Sequence, residues 1–185
     1  MLCVVFGIPG VGKTTVLDEV AERVDVNRLN FGTFMFEEAK AKGLVEDRDQ
    51  MRKLPKEAQS KLQKTAAEKI YKQSRSGNVI VDTHASVKTP QGYIPGLPEA
   101  VLRALSPDAL VIVECDPRDI LGRRNRDRSR ERDADALEEI DEHQSINRSY
   151  GAVYSDLTNS TLMIVKNAEG KVADAAEKIA LIFKQ

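Results

Sequence analysis

The sequence predicts an α/β domain, a parallel sheet with helices on both faces, and three observations carry that expectation. Five short apolar runs punctuate the chain, and three of them (Leu2–Phe6, Val79–Asp82 and Ala109–Cys115) are nearly all apolar rather than alternating. That is the pattern of strands covered on both faces. Segments of helical period lie between the runs, so strand and helix alternate. The first run leads at once into a glycine-rich turn that opens a helix.

Leu2–Phe6 reads as the first strand, and Val16, Leu17, Val20, Ala21 and Val24 form the apolar stripe of the helix that follows. Arg28–Phe31 is the second strand, and an insert, Phe31–Leu54, stands after it. Ala58, Leu62, Ala66 and Ile70 line a helix that enters after Pro55 and ends at Gly77. Val79–Asp82 is the third strand and Ala109–Cys115 the fourth, with a second insert at Arg123–Asp133. Leu137, Ile140, Tyr150, Val153, Tyr154 and Leu157 line a long helix before the fifth strand, Thr161–Val165. Val172, Ala176, Ile179, Ile182 and Phe183 line the last helix. No repeat or flexible linker interrupts this order, so the expectation is one domain over residues 1–185 carrying two inserts.

Charge and composition exclude several function classes. The 185 residues hold 28 Lys plus Arg against 29 Asp plus Glu, a formal charge of −1. That balance argues against a long nucleic-acid track or a basic membrane-binding face. A hydrophobic share of 41% is too high for a disordered chain. No apolar run approaches the ~18 residues of a membrane helix, and the start of the chain does not read as a signal peptide. Cys3 and Cys115 lack metal-type spacing and read as buried thiols in a reducing cytoplasm.

Gly7-Ile8-Pro9-Gly10-Val11-Gly12-Lys13-Thr14 satisfies the phosphate-loop pattern G-x-x-x-x-G-K-[ST]. Glycines let backbone N–H groups turn inward around an anion, and the following helix points its positive end at the same place. Lys13 adds a charge for the β- and γ-phosphates, and Thr14 offers a hydroxyl to Mg²⁺. With Thr15, these residues form the expected ATP-binding set. Asp82 leaves the carboxyl end of a buried strand, where open α/β sheets bind ligands, and is the candidate partner of that Mg²⁺. The alternative for Asp82 is a cap on the following turn.

The loop implies a nucleotide, not a reaction. A guanine-reading Asn-Lys-x-Asp element is missing after the last strand, where Val165-Lys166-Asn167-Ala168 stands instead. A small phosphotransferase remains. Of fourteen arginines, seven lie between residues 118 and 132 (Arg118, Arg123, Arg124, Arg126, Arg128, Arg130, Arg132), and an acidic run follows. Arginines at i,i+4 repel by ~0.2–0.5 kcal/mol per pair. A polyanion relieves that repulsion, and arginine grips phosphate with two donors. The run therefore reads as a flap over a triphosphate, with Arg130 and Arg132 the best candidates for the transferring phosphoryl group and Arg124 and Arg148 behind them. In the other insert Arg48 and Arg52 share a face if the stretch is helical, and both could then meet one phosphate; the alternative is surface ion pairs with Glu46, Asp47 or Asp49.

Taken together, Asn30-Phe31-Gly32-Thr33, Glu46 to Arg52, Val81-Asp82-Thr83-His84, Lys88 to Pro98, Arg123-Arg124 with Arg130-x-Arg132-Asp133, and Glu142-His143-Gln144 followed by Asn147-Arg148 resemble the archaeal-type adenylate kinases of the nucleoside monophosphate kinase group. The resemblance covers nearly the whole chain. It implies a three-layer P-loop kinase core with a five-stranded parallel sheet, an AMP-binding insert at 31–54 and a short lid at 123–133. It also implies transfer of the terminal phosphoryl group of MgATP to AMP, giving two ADP. Arg48, Arg52, Thr33, His84 and Lys88 with its loop would then serve AMP, and His143 would be structural. The short lid lacks the cysteine cluster of longer-lid relatives, so no structural metal is expected. The family's association with trimers makes a homo-oligomer an expectation. A related kinase with another acceptor, and a non-catalytic ATP-binding module, remain the competing readings.

Overall fold

The computed structural model describes residues 1–51, 53–126 and 137–184, without the side chains of Asn125 and Arg126. Of the positions singled out above, Arg52, Arg128, Arg130, Arg132 and Asp133 lie outside the described residues.

The chain runs β1 (Leu2–Phe6), α1 (Lys13–Arg23), β2 (Asn27–Asn30), α2 (Phe31–Ala41), α3 (Arg48–Met51), α4 (Lys56–Ser74), β3 (Val79–Thr83), β4 (Ser86–Thr89), β5 (Gly92–Pro95), α5 (Glu99–Leu105), β6 (Ala109–Glu114), α6 (Pro117–Arg126), α7 (Leu137–Thr158), β7 (Thr161–Lys166) and α8 (Val172–Ala180). Five strands form one parallel sheet in the order β2-β3-β1-β6-β7. The chain leaves β1 toward one side for β2 and β3 and returns to the other for β6 and β7. The order therefore reverses at β1, and the crevice beyond its carboxyl end is where such sheets bind ligands.

Alternation along the strands builds the layers. Cys3 and Val5, Ile80, and Val111 and Val113 face α1 and α8 in one core cluster. Leu2, Val4 and Phe6, Val79 and Val81, and Leu110 and Ile112 face α4, α5 and α7 in another. Ala39, Val45, Met51 and Leu62 form a third, smaller cluster between the 31–54 insert and α4. Cys3 and Cys115 are both buried, free thiols. Among the described residues no helix is long and apolar enough to cross a membrane.

Several expectations need correction. Phe31 opens α2 instead of closing the second strand, because the Asn30 side chain accepts from the Thr33 N–H and starts the helix there. The Lys88–Pro98 segment is largely the antiparallel hairpin β4–β5. α5 was not foreseen: it is one short helix behind Pro98, too brief to show a period. Arg123 and Arg124 lie on α6, so the second insert begins inside a helix. Ala21 is exposed, as are Leu137 and Val153, which stand off the stripe that Ile140, Tyr150, Tyr154 and Leu157 turn toward the core.

Candidate active site

The glycine turn between β1 and α1 is held from both sides. Gly10 and Gly12 adopt φ of 88° and 82°, left-handed values that favour glycine. A Cβ on Gly12 would sit 2.5 Å from Asn167 Nδ2, and one on Gly7 2.8 Å from Val11 Cγ1. Ile8 and Val11 send their side chains into the core, so they anchor the turn and leave only their main chain to a ligand. The carbonyls of the turn are taken from outside. Val11 O accepts from Asn167 Nδ2 at 2.9 Å and Arg123 Nη1 at 3.1 Å. Pro9 O accepts from Arg124 Nε at 3.0 Å and Nη2 at 2.8 Å.

Lys13, first residue of α1, lies along the floor. Its Nζ is 2.5 Å from Asp82 Oδ1 and also donates to the Thr83 carbonyl. Burial pushes the lysine pKa down, Asp82 opposes that, and the Arg28 charge adds to it. Asp82 Oδ2 lies 3.8 Å from Arg28 Nη2. These groups open into a cleft of about 600 Å³ lined by Gly7 to Gly10, Gly12, Lys13, Thr14, Asn30, Asp82, His84, Arg123 and Arg124. His84 is exposed toward this cleft; partial desolvation of its ring, and then the Lys13 charge, hold its imidazole down to about 4, so it is neutral near pH 7.

Next to Asn30 but outside the lining of the cleft, Thr33 Oγ1 donates to Asn30 Oδ1 at 3.1 Å and accepts from Arg48 Nη2. The Arg48 guanidinium stands 5.8 Å above the Phe36 ring. Arg48 thus meets Thr33, and Asp47 instead accepts from the Gln50 N–H at 3.0 Å. Lys88 sits on the hairpin 2.9 Å from Glu139 of α7, outside the described lining of the cleft. Thr15 lines a separate hollow of about 220 Å³ behind the turn, with Gly12, Arg123, Asn167, Glu169, Gly170 and Val172. Arg148 forms two 2.6 Å bonds to the buried Glu114, whose carboxylate raises the guanidinium pKa. His143 is buried with its ring 5.0 Å from Tyr93.

The sequence assigns no role to Arg28 or Asn167, and names Asn30 and Gln144 only as parts of resembling motifs. Gln144 bonds both the N–H and the carbonyl of Cys115 at 3.0 Å, steadying the strand end beside β1. Asn167 reaches the Val11 carbonyl from 156 residues away, so nothing in the local sequence marks it.

A sequence-family profile described as an AAA domain matches residues 6–141. The chain is 51% identical over 184 residues, all of both chains, to the adenylate kinase of Thermoplasma volcanium. It is 47% identical over 186 residues to that of Methanococcus vannielii, covering 98% of this chain and 97% of the relative. Among solved structures, a shikimate kinase from Bacteroides thetaiotaomicron matches the fold with a TM-score of 0.56 at 12% identity, over 100% of this chain and 99% of the other. A gluconokinase from Sinorhizobium meliloti matches with a TM-score of 0.52 at 12% identity, over 98% and 93%.

Proposed function

The chain belongs to the adenylate kinase family and is a nucleoside monophosphate kinase, and from that premise we propose how its residues divide the work of moving a phosphoryl group from MgATP to AMP. One observation carries the division: the glycine turn, the start of α1 and Lys13 share one cleft with Asn30 and His84. ATP lays its phosphates on residues 7–14, with Lys13 leaving Asp82 for the β- and γ-oxygens. The hollow behind Gly12 receives its base. AMP takes the opposite wall, its phosphate on Arg48 and Arg52, with Thr33 and His84 lining the pocket. Lys88, held by Glu139, is the weakest member of that set. In this division residues 31–54 act as the acceptor insert and 123–133 as the lid of one domain.

The acceptor is a phosphate monoester whose oxygens are already anionic, so no side-chain base is required. The work is holding two polyanions in line, which needs cations and positioning. Arg124, Arg130 and Arg132 are the proposed cations on the transferring group, with Arg124 leaving the Pro9 carbonyl to reach it. Closure of the lid excludes water. Thr14 and Asp82 line the same cleft and would hold a nucleotide-borne Mg²⁺ through their side-chain oxygens. When bound, Mg²⁺ neutralises charge on the phosphates. A cytoplasmic location and a homotrimer belong to the same proposal; light scattering that returned the mass of a single chain would count against the trimer.

An acceptor screen tests the assignment. With MgATP, AMP is expected to be phosphorylated at least about tenfold more efficiently than CMP, UMP or a small alcohol, roughly the cost of leaving one buried polar group unpaired. Equal rates with every acceptor would overturn it.

A further inference from the structure

Arg28 carries chemistry that neither the phosphate-loop pattern nor the acceptor wall accounts for. It stands in β2 on the face turned to α1, between Asp82 of β3 and the first turns of that helix. Its Nη1 pairs with Asp18 and lies 3.5 Å from the Thr14 carbonyl, while its Nη2 is 3.8 Å from Asp82 Oδ2. Asp82 therefore lies between two cations, with Lys13 on Oδ1 and Arg28 on Oδ2. Asp82 is buried, its side chain 9% exposed, and Arg28 is only 25% exposed, so this charge is poorly shared with water.

We infer that Arg28 is a positioning residue that retains Asp82 when Lys13 leaves it for a nucleotide phosphate. The inference rests on the reading that Lys13 binds phosphate. In the unliganded cleft the ammonium is held by a carboxylate, and that attraction competes directly with the phosphate. Without Arg28, the departure of Lys13 would leave a buried carboxylate unpaired, which is costly. The guanidinium on the second oxygen lowers that cost, because it keeps Asp82 paired and in place after Lys13 turns. Asp18 and the Thr14 carbonyl hold the guanidinium, so it does not follow the phosphate itself.

The test is the affinity for ADP in the presence of EDTA, measured by calorimetry, in a double-mutant cycle. Arg28→Met is expected to weaken ADP binding about fivefold, the size of one partly buried ion pair. In an Asp82→Asn background, where Lys13 has no carboxylate to leave, the same substitution should change affinity by less than about twofold. Arg28→Lys should recover most of the loss, and Arg28→Gln takes the place of Arg28→Met in the cycle if the latter does not fold. Equal weakening in both backgrounds, or none in either, overturns the inference. Lys13→Met separates the two levels. If it leaves ADP affinity intact, the phosphate-loop reading itself fails; if it abolishes binding while Arg28→Met does nothing, only the role of Arg28 fails.

Discussion

The floor of the cleft and its acceptor-side wall meet at Asn30 but are made differently. The floor is main chain: glycines at positive φ, Ile8 and Val11 sunk in the central core, and carbonyls held by Asn167, Arg123 and Arg124. The wall is side chains, Thr33 and an exposed Arg48, carried on an insert whose own core is the small cluster of Ala39, Val45, Met51 and Leu62. A group recognised by backbone amides needs one rigid geometry, and every triphosphate shares it. In the proposed division, a group chosen among several monophosphates is read by side chains, and these sit on a unit with a small core of its own.

The sharpest break of that contrast is at Lys13. Lys13→Met should lower kcat by on the order of 10²-fold or more, as loss of a preorganised charge does, with little change in melting temperature because Arg28 still faces Asp82. Leu62→Ala attacks the wall alone. It should cost about 2–4 kcal/mol of local stability, seen as faster amide exchange across residues 31–54 while β1 and α1 keep their protection. Uniform loss of protection would mean the two regions are one cooperative unit. Arg48→Ala should raise KM for AMP about tenfold, the worth of a charged hydrogen bond, and leave KM for ATP nearly unchanged.

The smallest effect concerns His84, between the two regions. Its folded pKa, about 4, lies below the unfolded value of 6.5. The unfolded chain therefore binds the proton first as pH falls, so stability is lost between pH 6.5 and 4. His84→Asn should flatten that part of the melting-temperature profile. An unchanged slope would show that the ring titrates as it does in water.

What was legible beforehand follows the same division. β1, β3 and β6 announced themselves because burial on both faces demands unbroken apolar runs, and the phosphate loop because its geometry admits few residue types. On the acceptor side the spacing of Arg48 and Arg52 suggested one phosphate, but Thr33, His84 and Lys88 were visible only through resemblance, since such residues look the same whether they serve a ligand or water. α5 and the hairpin were hidden by their brevity. Arg28 was hidden inside a strand, because its partners Asp18 and Asp82 lie in other elements and meet it only after folding.

The most direct measurement is phosphorus NMR of the purified protein with ADP and Mg²⁺ alone. One cleft holding a nucleotide on each wall should convert ADP into ATP and AMP in equal amounts. ADP left unchanged by folded protein, or inorganic phosphate as the only product, would contradict the account.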